Sequence, residues 1–291
     1  MTSELSFIAA LRRIAMHPAA RGLADDAAVL SLGGEALVLT HDVLVEGVHY
    51  LASQDPADVA WKLVATNMSD LAAKGAEPIG VLLGYTLQRD DDERFLAGLA
   101  EALAHYRAPL LGGDTVSGAP AQVLGLTAIG RATYRPVPSR SGARIGDALY
   151  VSGPLGAAML GYEALRDGAG DTLAYRRPRA LLGEGRALAP LVSAMMDVSD
   201  GLLLDAARLA HASDVTLAIE SSTVPITTPE PRRYEALRWG DDYQLLFTAP
   251  ASAALPVKAH RIGEVLAPGP APLLLDGAPL SEADGLGYEH R

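Results

Sequence analysis

Short runs of mostly apolar residues recur along the whole chain and predict its strands. Six of them combine Val, Leu, Ile and aromatic side chains over a length typical of strands, and polar or turn-forming residues bound them. In the first half of the chain they are residues 36–40, 81–87 and 122–130, and in the second half 148–153, 215–220 and 243–248.

Three helices are predicted between these strands. The first has Asp55 as its N-cap and Pro56 in its first turn, carries apolar residues at helical spacing, and ends at Gly75. The second begins at Ala157, and the third covers residues 199–211. This alternation of strands and helices predicts a mixed α/β (α+β) fold.

A stretch rich in arginine, proline and small polar residues divides the chain. It covers residues 131–146 (RATYRPVPSRSGARIG) and separates two apolar regions. With 291 residues, the chain is long enough for two domains. We therefore predict one domain over residues 1–138 and a second over residues 139–291.

The composition narrows the classes of function. The formal net charge of -11 disfavours binding to nucleic-acid phosphates, although metal cations could let such a protein bind an anionic ligand. The chain has no cysteine, which excludes disulfides and thiolate ligands. No apolar run reaches the roughly 18 residues of a membrane-spanning helix, and the first residues do not resemble a signal peptide. We expect a cytoplasmic protein that contacts neither nucleic acid nor membrane.

Common nucleotide-binding motifs are missing, but aspartates recur beside glycine or other small residues. The chain lacks GxxxxGK[ST], a complete GxGxxG and HExxH, and Gly183-Glu184-Gly185 lies among helix-forming residues. The recurring aspartates are Asp25, Asp26, Asp42, Asp70, Asp114, Asp197 and Asp200. Mg²⁺ takes oxygen ligands and is often shared with substrate phosphates, so these carboxylates predict a metal–phosphate site if they meet at one cleft.

Each aspartate also has a purely structural explanation. The GLADDAAVL and LLGGDT segments could be turns. Asp70 could form an exposed ion pair with Lys74, one helical turn later, although Asn67 shares the apolar stripe of this helix. Asp197 or Ser199 could cap the helix that follows, but a helix N-terminus also binds phosphate.

Seven segments match one family pattern, in order and over nearly the whole chain. They are GLADDAAVL, THDVLVEGVHY, DPADVAWKLVATNMSDLAAKGAEP, LLGGDT, RSGARIGDALYVSG, MDVSDGLLLD and WGDDYQLLFT. The sequence resembles the thiamine-monophosphate kinase family, of the superfamily that includes aminoimidazole ribonucleotide synthetase. The resemblance implies a two-domain fold of that superfamily, a homodimer joined through the N-terminal sheets, and ATP and several Mg²⁺ ions bound in a cleft.

The resemblance also implies roles for residues at matching positions. The expected Mg²⁺ ligands are Asp26, Thr40, Asp42, Asp70, Asp114, Asp197 and Asp200. The expected ATP contacts are Gly113, Asp114, Arg140 and Ser199, and the expected contacts of thiamine monophosphate are His49 and Asp241. Asp114 and Asp200 are expected to matter most, and no residue is expected to act as a general base.

The chain departs from the family pattern at three places. The usual Ser-Thr-Asp reads Thr40-His41-Asp42, so a metal contact of the middle residue would pass to the backbone carbonyl or be lost. The usual GGEDY reads WGDDY, which shortens the acidic side chain at Asp241. The usual aromatic C-terminus, GYDHF, reads GYEHR. An aromatic ring suits the cationic thiazolium of the substrate, which makes Tyr288 a candidate contact.

These expectations fit direct in-line phosphoryl transfer from ATP to thiamine monophosphate. A phosphate monoester has a second pKa near ~6, so the attacking oxygen is already ionised at neutral pH and needs no general base. Mg²⁺ would offset the repulsion between the two polyanions. The alternatives are another ATP-using member of the superfamily, such as the ring-closing aminoimidazole ribonucleotide synthetase, and a non-catalytic scaffold that binds divalent cations.

Overall fold

Two β-sheets organise the chain, one in each half. The computed structural model describes residues 4–87, 92–118, 121–281 and 284–289. All strands of the five-stranded sheet precede all strands of the seven-stranded sheet in sequence. Among the helices of the described residues, we find none that is long and apolar enough to cross a membrane.

The first sheet contains three predicted strands and two that were not predicted. Its strands are β1 (Ala28–Leu32), β2 (Glu35–Val45), β3 (Ala76–Leu87), β4 (Leu110–Ser117) and β5 (Val123–Ala132). They lie in the order β1-β2-β5-β3-β4, and all neighbours are antiparallel except β3 and β4. The GGD segment, for which a turn was one interpretation, is therefore part of an edge strand.

Helices cover one face of this sheet. They are α2 (Pro56–Ala73) and α3 (Asp92–Tyr106), whereas α1 (Glu4–Arg12) and a 3₁₀ segment (Pro18–Leu23) precede β1. The predicted start of α2 is confirmed, because the Asp55 side chain accepts the Ala57 N–H at 2.9 Å. Residues of α2 and α3 form one apolar core with the strands, and nearly all of α2 is buried.

The second sheet carries the remaining helices. Its strands are β6 (Asp147–Val151), β7 (Ala194–Asp197), β8 (Thr216–Ile219), β9 (Leu245–Pro250), β10 (His260–Leu266), β11 (Leu273–Leu275) and β12 (Ala278–Leu280), in the order β12-β11-β8-β10-β6-β9-β7. The helices are α4 (Ala157–Asp167), α5 (Leu173–Arg176), α6 (Leu182–Leu188), α7 (Leu202–Ser213) and α8 (Arg233–Arg238), with 3₁₀ turns at Ser221–Thr223 and Glu230–Arg232.

The two halves meet along α2. The Trp61 Nε1–H donates to the Pro178 carbonyl at 2.9 Å, and the buried Asp58 carboxylate pairs with both Arg176 and Arg177. Alanines at the end of α2 also join an apolar cluster with the second sheet. This contact holds α2 in a fixed position between the two halves. The exact division at residue 138 stays a prediction.

Candidate active site

A cavity of about 870 Å³ is lined by residues from both halves of the chain. The first half contributes β2, the loop after it and α2, and the second half contributes the loops around α7 and α8. The predicted site residues in its wall are Asp42, His49, Asp70, Asp197, Ser199, Asp200, Asp241 and Tyr288. The fold thus brings together most of the residues that the sequence singled out.

Three carboxylates from distant segments meet beside this cavity. Asp26 precedes β1, Asp70 lies on α2 and Asp197 ends β7, and each offers an oxygen within 4.8 Å of the others. The Thr40 hydroxyl donates to Asp70, and the Ser69 hydroxyl donates to Asp197 Oδ2 at 2.5 Å. These hydroxyl groups hold the carboxylates in a fixed orientation.

The electrostatics of this cluster favour a cation. Burial raises the pKa of Asp70 well above 3.8, and the neighbouring Asp42, Asp197 and Asp26 raise it further. Burial, with Asp26 nearby, raises the pKa of Asp197 to about 8. Burial, together with Asp200 and Asp26, raises the pKa of Asp42 to about 6. Hard oxygen donors under this mutual repulsion fit Mg²⁺, which would relieve it.

Asp26 differs from the other two because cations already contact both of its oxygens. Lys74 Nζ lies 2.6 Å from Asp26 Oδ2 and 2.5 Å from Asp25 Oδ1, and the Arg140 Nε–H donates to Asp26 Oδ1 at 2.7 Å. Although burial opposes it, Lys74 holds the pKa of Asp25 well below its usual range. The alternative explanation of Asp70, an exposed ion pair with Lys74, is therefore wrong, since Lys74 is fully buried.

The loop before α7 is held by a residue that the sequence reasoning missed. The buried Asp205 carboxylate accepts the backbone N–H groups of Ser199 and Asp200, each at 3.0 Å. Burial raises the pKa of Asp205 to about 7, with Asp200 adding to it. The idea that Asp197 or Ser199 caps this helix is wrong, because the N-cap is Gly201 and has no side-chain hydrogen bond.

The two predicted acceptor contacts, His49 and Asp241, are joined by a buried lysine. Lys62 Nζ lies 2.7 Å from Asp241 Oδ2 and donates to the His49 carbonyl at 3.1 Å. The Tyr175 hydroxyl donates to the same carbonyl at 3.1 Å, and the Tyr243 hydroxyl donates to Asp241 Oδ1 at 2.9 Å. Residues from the two halves are thereby fixed relative to each other.

Gly113 and Asp114 lie away from the other predicted site residues of the same chain. Asp42 on β2 pairs with Leu126, and Leu126 pairs with Leu83. Leu83 in turn pairs with Gly113 on the edge strand β4. At the usual strand spacing, these three steps separate Gly113 from Asp42 by roughly 14 Å.

The departures from the family pattern can be located in part. The His41 ring lies with its Nδ1 2.8 Å from the Thr127 hydroxyl. Tyr288 lines the cavity, and its backbone N–H donates to the Asp200 carbonyl at 2.9 Å. Arg291, which replaces the usual aromatic C-terminus, lies outside the described residues.

Several residues of the site were missed by the sequence reasoning. They are Lys62, Thr66, Ser69, Lys74, Tyr162, Tyr175, Asp205, Arg208 and Trp239. For those on α2 a signal existed, because polar residues recur within a helix that is otherwise apolar. For Tyr162, Tyr175 and Trp239 none existed, since only the fold brings these segments to one cavity.

Family models match both halves of the chain. The model for the AIR synthase related protein N-terminal domain covers residues 24–132, and the model for the C-terminal domain covers residues 144–269. The fold and the site thus define a two-domain protein of the AIR synthase related class.

Relatives with high coverage narrow this class. A thiamine-monophosphate kinase of Escherichia coli is 37% identical over 79% of this chain and 76% of the relative. A thiamine-monophosphate kinase of Caulobacter vibrioides is 38% identical over 85% of this chain and 79% of the relative. A solved structure described as AaThiL complexed with AMPPCP and TMP has a TM-score of 0.89 and 29% identity, covering 99% of this chain and 97% of that chain. The chain belongs to the thiamine-monophosphate kinase family.

Proposed function

We propose that this chain transfers the γ-phosphoryl group of ATP to the phosphate of thiamine monophosphate, giving ADP and thiamine diphosphate. The observation that carries the proposal is the carboxylate cluster beside a cavity, in a chain of the thiamine-monophosphate kinase family. The relative bound to AMPPCP, an ATP analogue, and TMP supports this pair of substrates. Because ATP is abundant in the cytoplasm, we place the reaction there.

The acidic cluster supports a metal-assisted reaction. Asp26, Asp70 and Asp197 would hold Mg²⁺, with Thr40 and Asp42 beside them, because this ion prefers hard oxygen ligands. When bound, Mg²⁺ neutralises phosphate charge that would otherwise repel the attacking group. The protein holds these carboxylates through buried hydroxyl donors, so little reorganisation is needed during the reaction.

The acceptor phosphate is assigned to His49 and the thiamine moiety to the region of Asp241. The His49 Nδ1 accepts the Val45 N–H at 3.0 Å, so the proton of the neutral ring lies on Nε2. In this tautomer the ring can donate a hydrogen bond to a phosphate oxygen and cannot remove a proton through Nε2. The ATP phosphates are assigned to Arg140 and Ser199, and Asp200 is assigned to the metal.

We further propose a homodimer joined through the face of the first sheet that α2 and α3 leave uncovered. Val43 and Leu82 point to this face and are 40% and 39% exposed, and Val116 on the edge strand β4 is 55% exposed. All eight residues of β4 are exposed. A sheet with an open edge and an apolar outer face favours pairing with a second copy.

Such a dimer would explain why Gly113 and Asp114 lie apart from the cluster. Asp114 pairs with Gly84, which pairs with Gly125, and Gly125 pairs with Val43. Paired residues share a face of a sheet, so Asp114 points to the outer face with Val43. We propose that Asp114 contributes to the ATP and metal site of the partner subunit.

An assay that follows both products tests the proposed activity. We expect ADP and thiamine diphosphate to form in equal amounts, only when thiamine monophosphate and Mg²⁺ are both present. ATP consumption that needs the ring-closure substrate of aminoimidazole ribonucleotide synthetase would favour that alternative. Binding of Mg²⁺ without turnover of either substrate would favour a non-catalytic scaffold.

A further inference from the structure

The cavity has an aromatic wall that phosphate and metal binding do not use. Tyr175, Tyr162 and Trp239 all line it. The ring centroids of Tyr175 and Tyr162 are 5.3 Å apart at 68°, and those of Tyr162 and Trp239 are 5.3 Å apart at 38°. These three rings therefore form a continuous ladder, which begins beside the backbone of His49 and ends beside Asp241.

The surroundings of this ladder contain charges of both signs. Lys62 Nζ already lies 4.0 Å from the centroid of the Tyr175 ring, so the first ring has a protein cation as its partner. At the other end, the Asp241 side chain is paired with Lys62 Nζ at 2.7 Å and remains 29% exposed. Asp200 also lines the cavity and is paired with Arg208. A flat cation would gain from the ring faces and from the exposed part of Asp241.

The backbone fixes Trp239 at the edge of the cavity. Trp239 follows α8, and its N–H donates to the Glu235 carbonyl at 2.9 Å. The next residue, Gly240, packs so closely that a Cβ there would lie 2.0 Å from the Ser199 carbonyl oxygen. The main chain at Gly240 therefore has no room to move towards Ser199, and the half-buried indole of Trp239 stays in the cavity wall.

We propose that Trp239, backed by Tyr162, stacks against the cationic thiazolium of the acceptor and selects it over a neutral ring. This inference rests on the proposed function and adds a specificity-determining residue to it. Tryptophan is the strongest cation–π partner among the side chains, and the thiazolium is flat, aromatic and permanently charged. The aromatic contact expected from the C-terminus is thereby supplied by a different segment.

Fluorescence tests the contact directly. The chain has two tryptophans, so Trp61→Phe leaves Trp239 as the one indole. Trp61 packs on His105 outside the cavity, but Trp61→Phe loses its hydrogen bond to Pro178 between the two halves, so the turnover of this variant is measured first and serves as the reference. We expect thiamine monophosphate to quench Trp239 emission saturably and ATP not to do so. Trp239 emission that does not change on addition of thiamine monophosphate, or that changes on addition of ATP, overturns the proposal.

Kinetics with a matched pair of acceptors tests the selectivity. The pair is thiamine monophosphate and its deaza analogue, in which carbon replaces the quaternary nitrogen and the ring is neutral. We expect the native protein to prefer the charged acceptor about tenfold in kcat/KM. Trp239→Leu should abolish most of this preference, and Trp239→Phe should keep part of it.

The outcomes separate this inference from the proposed function. A native protein that forms no thiamine diphosphate contradicts the function. An active native protein whose preference survives Trp239→Leu unchanged contradicts the inference alone. An increase of the KM for ATP in Trp239→Leu, with the KM for the acceptor unchanged, would show that the indole stacks on adenine and would also overturn it. Thermal melting checks that each variant is folded.

Discussion

The negative charge of Asp70 lowers the stability of the metal-free protein, and the proposed Mg²⁺ site requires it. Asp70 is half-buried, and its desolvation and three neighbouring carboxylates raise its pKa. Asp70→Asn keeps the size and can still accept from Thr40. We expect this variant to lose at least about 100-fold in kcat/KM and, without Mg²⁺, to melt at a higher temperature than the native protein. Steady-state kinetics and calorimetry measure the two effects.

A surface aspartate provides the control. Asp167→Asn removes a carboxylate that is exposed and pairs with Arg166, so it should change neither activity nor melting temperature appreciably. Near-native rates in Asp70→Asn, with unaltered dependence on Mg²⁺, would contradict the assignment of Asp70 to the metal.

The kinetics of His49→Gln show whether His49 binds the acceptor or acts as a general base. Because its Nδ1 is engaged with Val45 and its Nε2 carries the proton, we expect His49→Gln to raise the KM for the acceptor by about 10–100-fold. The shape of the kcat–pH profile should stay unchanged. If His49 were the base, kcat would fall by roughly 10²–10⁴-fold with the inflection lost and KM unchanged.

The sequence predicts site residues well where a family motif contains the carboxylate, as in NMSDLAAKGAEP and MDVSDGLLLD. Asp70 and Asp197 belong to such motifs, and the structure brings them together. The sequence predicts poorly which cation each carboxylate contacts. Lys74 lies four residues from Asp70, yet α2 is so deeply buried that Lys74 reaches Asp25 and Asp26 instead. That choice depends on tertiary packing, which local spacing does not contain.

At the scale of elements, two glycines of one short helix have opposite requirements. In α6, a Cβ on Gly185 would lie 1.9 Å from the Ala72 carbonyl oxygen of α2, whereas a Cβ on Gly183 would meet nothing within 4 Å. We expect Gly185→Ala to lower the free energy of unfolding by about 1–3 kcal/mol. Gly183→Ala should raise it by up to about 1 kcal/mol through helix propensity. Urea unfolding of both variants measures the difference.

Equal effects of the two substitutions would show that α6 does not contact α2 as closely as the structure indicates. Gly185→Ala should also reduce turnover, because α2 carries Ser69 and Asp70. Gly183→Ala should leave turnover unchanged and is therefore the matched control.

Elements with a clear apolar pattern and recognisable ends were predictable, as α2 shows with Asp55 at its start. The third predicted helix began too early, because the residues before Leu202 form the loop that Asp205 holds. The edge strand β4 was missed as a strand, because it contains two adjacent glycines and is exposed along its whole length. Such a strand lacks the alternation on which sequence prediction depends.

At the scale of the whole molecule, the carboxylate cluster joins the two halves, so pH and Mg²⁺ should affect folding together. The Asp197 carboxyl has a pKa of about 8 in the folded state against 3.8 as its ordinary value. Between these pH values the folded state binds more protons than the unfolded state, so the stability of the native protein falls as pH rises. Without metal, Asp197→Asn should therefore gain stability over the native protein as pH increases from about 4 to about 8.

Adding Mg²⁺ should make the native protein more stable than Asp197→Asn at the higher pH values. Because protons compete with Mg²⁺ for the same oxygens, the rise in melting temperature of the native protein should be larger at about pH 8 than at about pH 6. Sodium chloride at equal ionic strength controls for screening. A stability difference between native protein and Asp197→Asn that does not change with pH would contradict the linkage.

The proposed dimer predicts that two inactive variants regain activity when they exchange subunits. Asp114→Asn and Asp70→Asn should each be inactive, because each removes a ligand from every site. If Asp114 acts in the partner's site, a mixed dimer contains one site with both aspartates intact. Random exchange of subunits should then restore about a quarter of the native activity, since half of the dimers are mixed and each has one good site of two.

The control separates association from chemistry. Val116→Lys should yield monomers in sedimentation, whereas Leu173→Lys, at a comparably exposed position on α5, should leave the dimer intact. Introduced into both inactive variants, Val116→Lys should also abolish the restoration of activity. Dimers that exchange subunits without regaining activity would show that Asp114 does not act across the interface. A sedimentation profile of the native protein that remains monomeric at micromolar concentration would contradict the dimer itself.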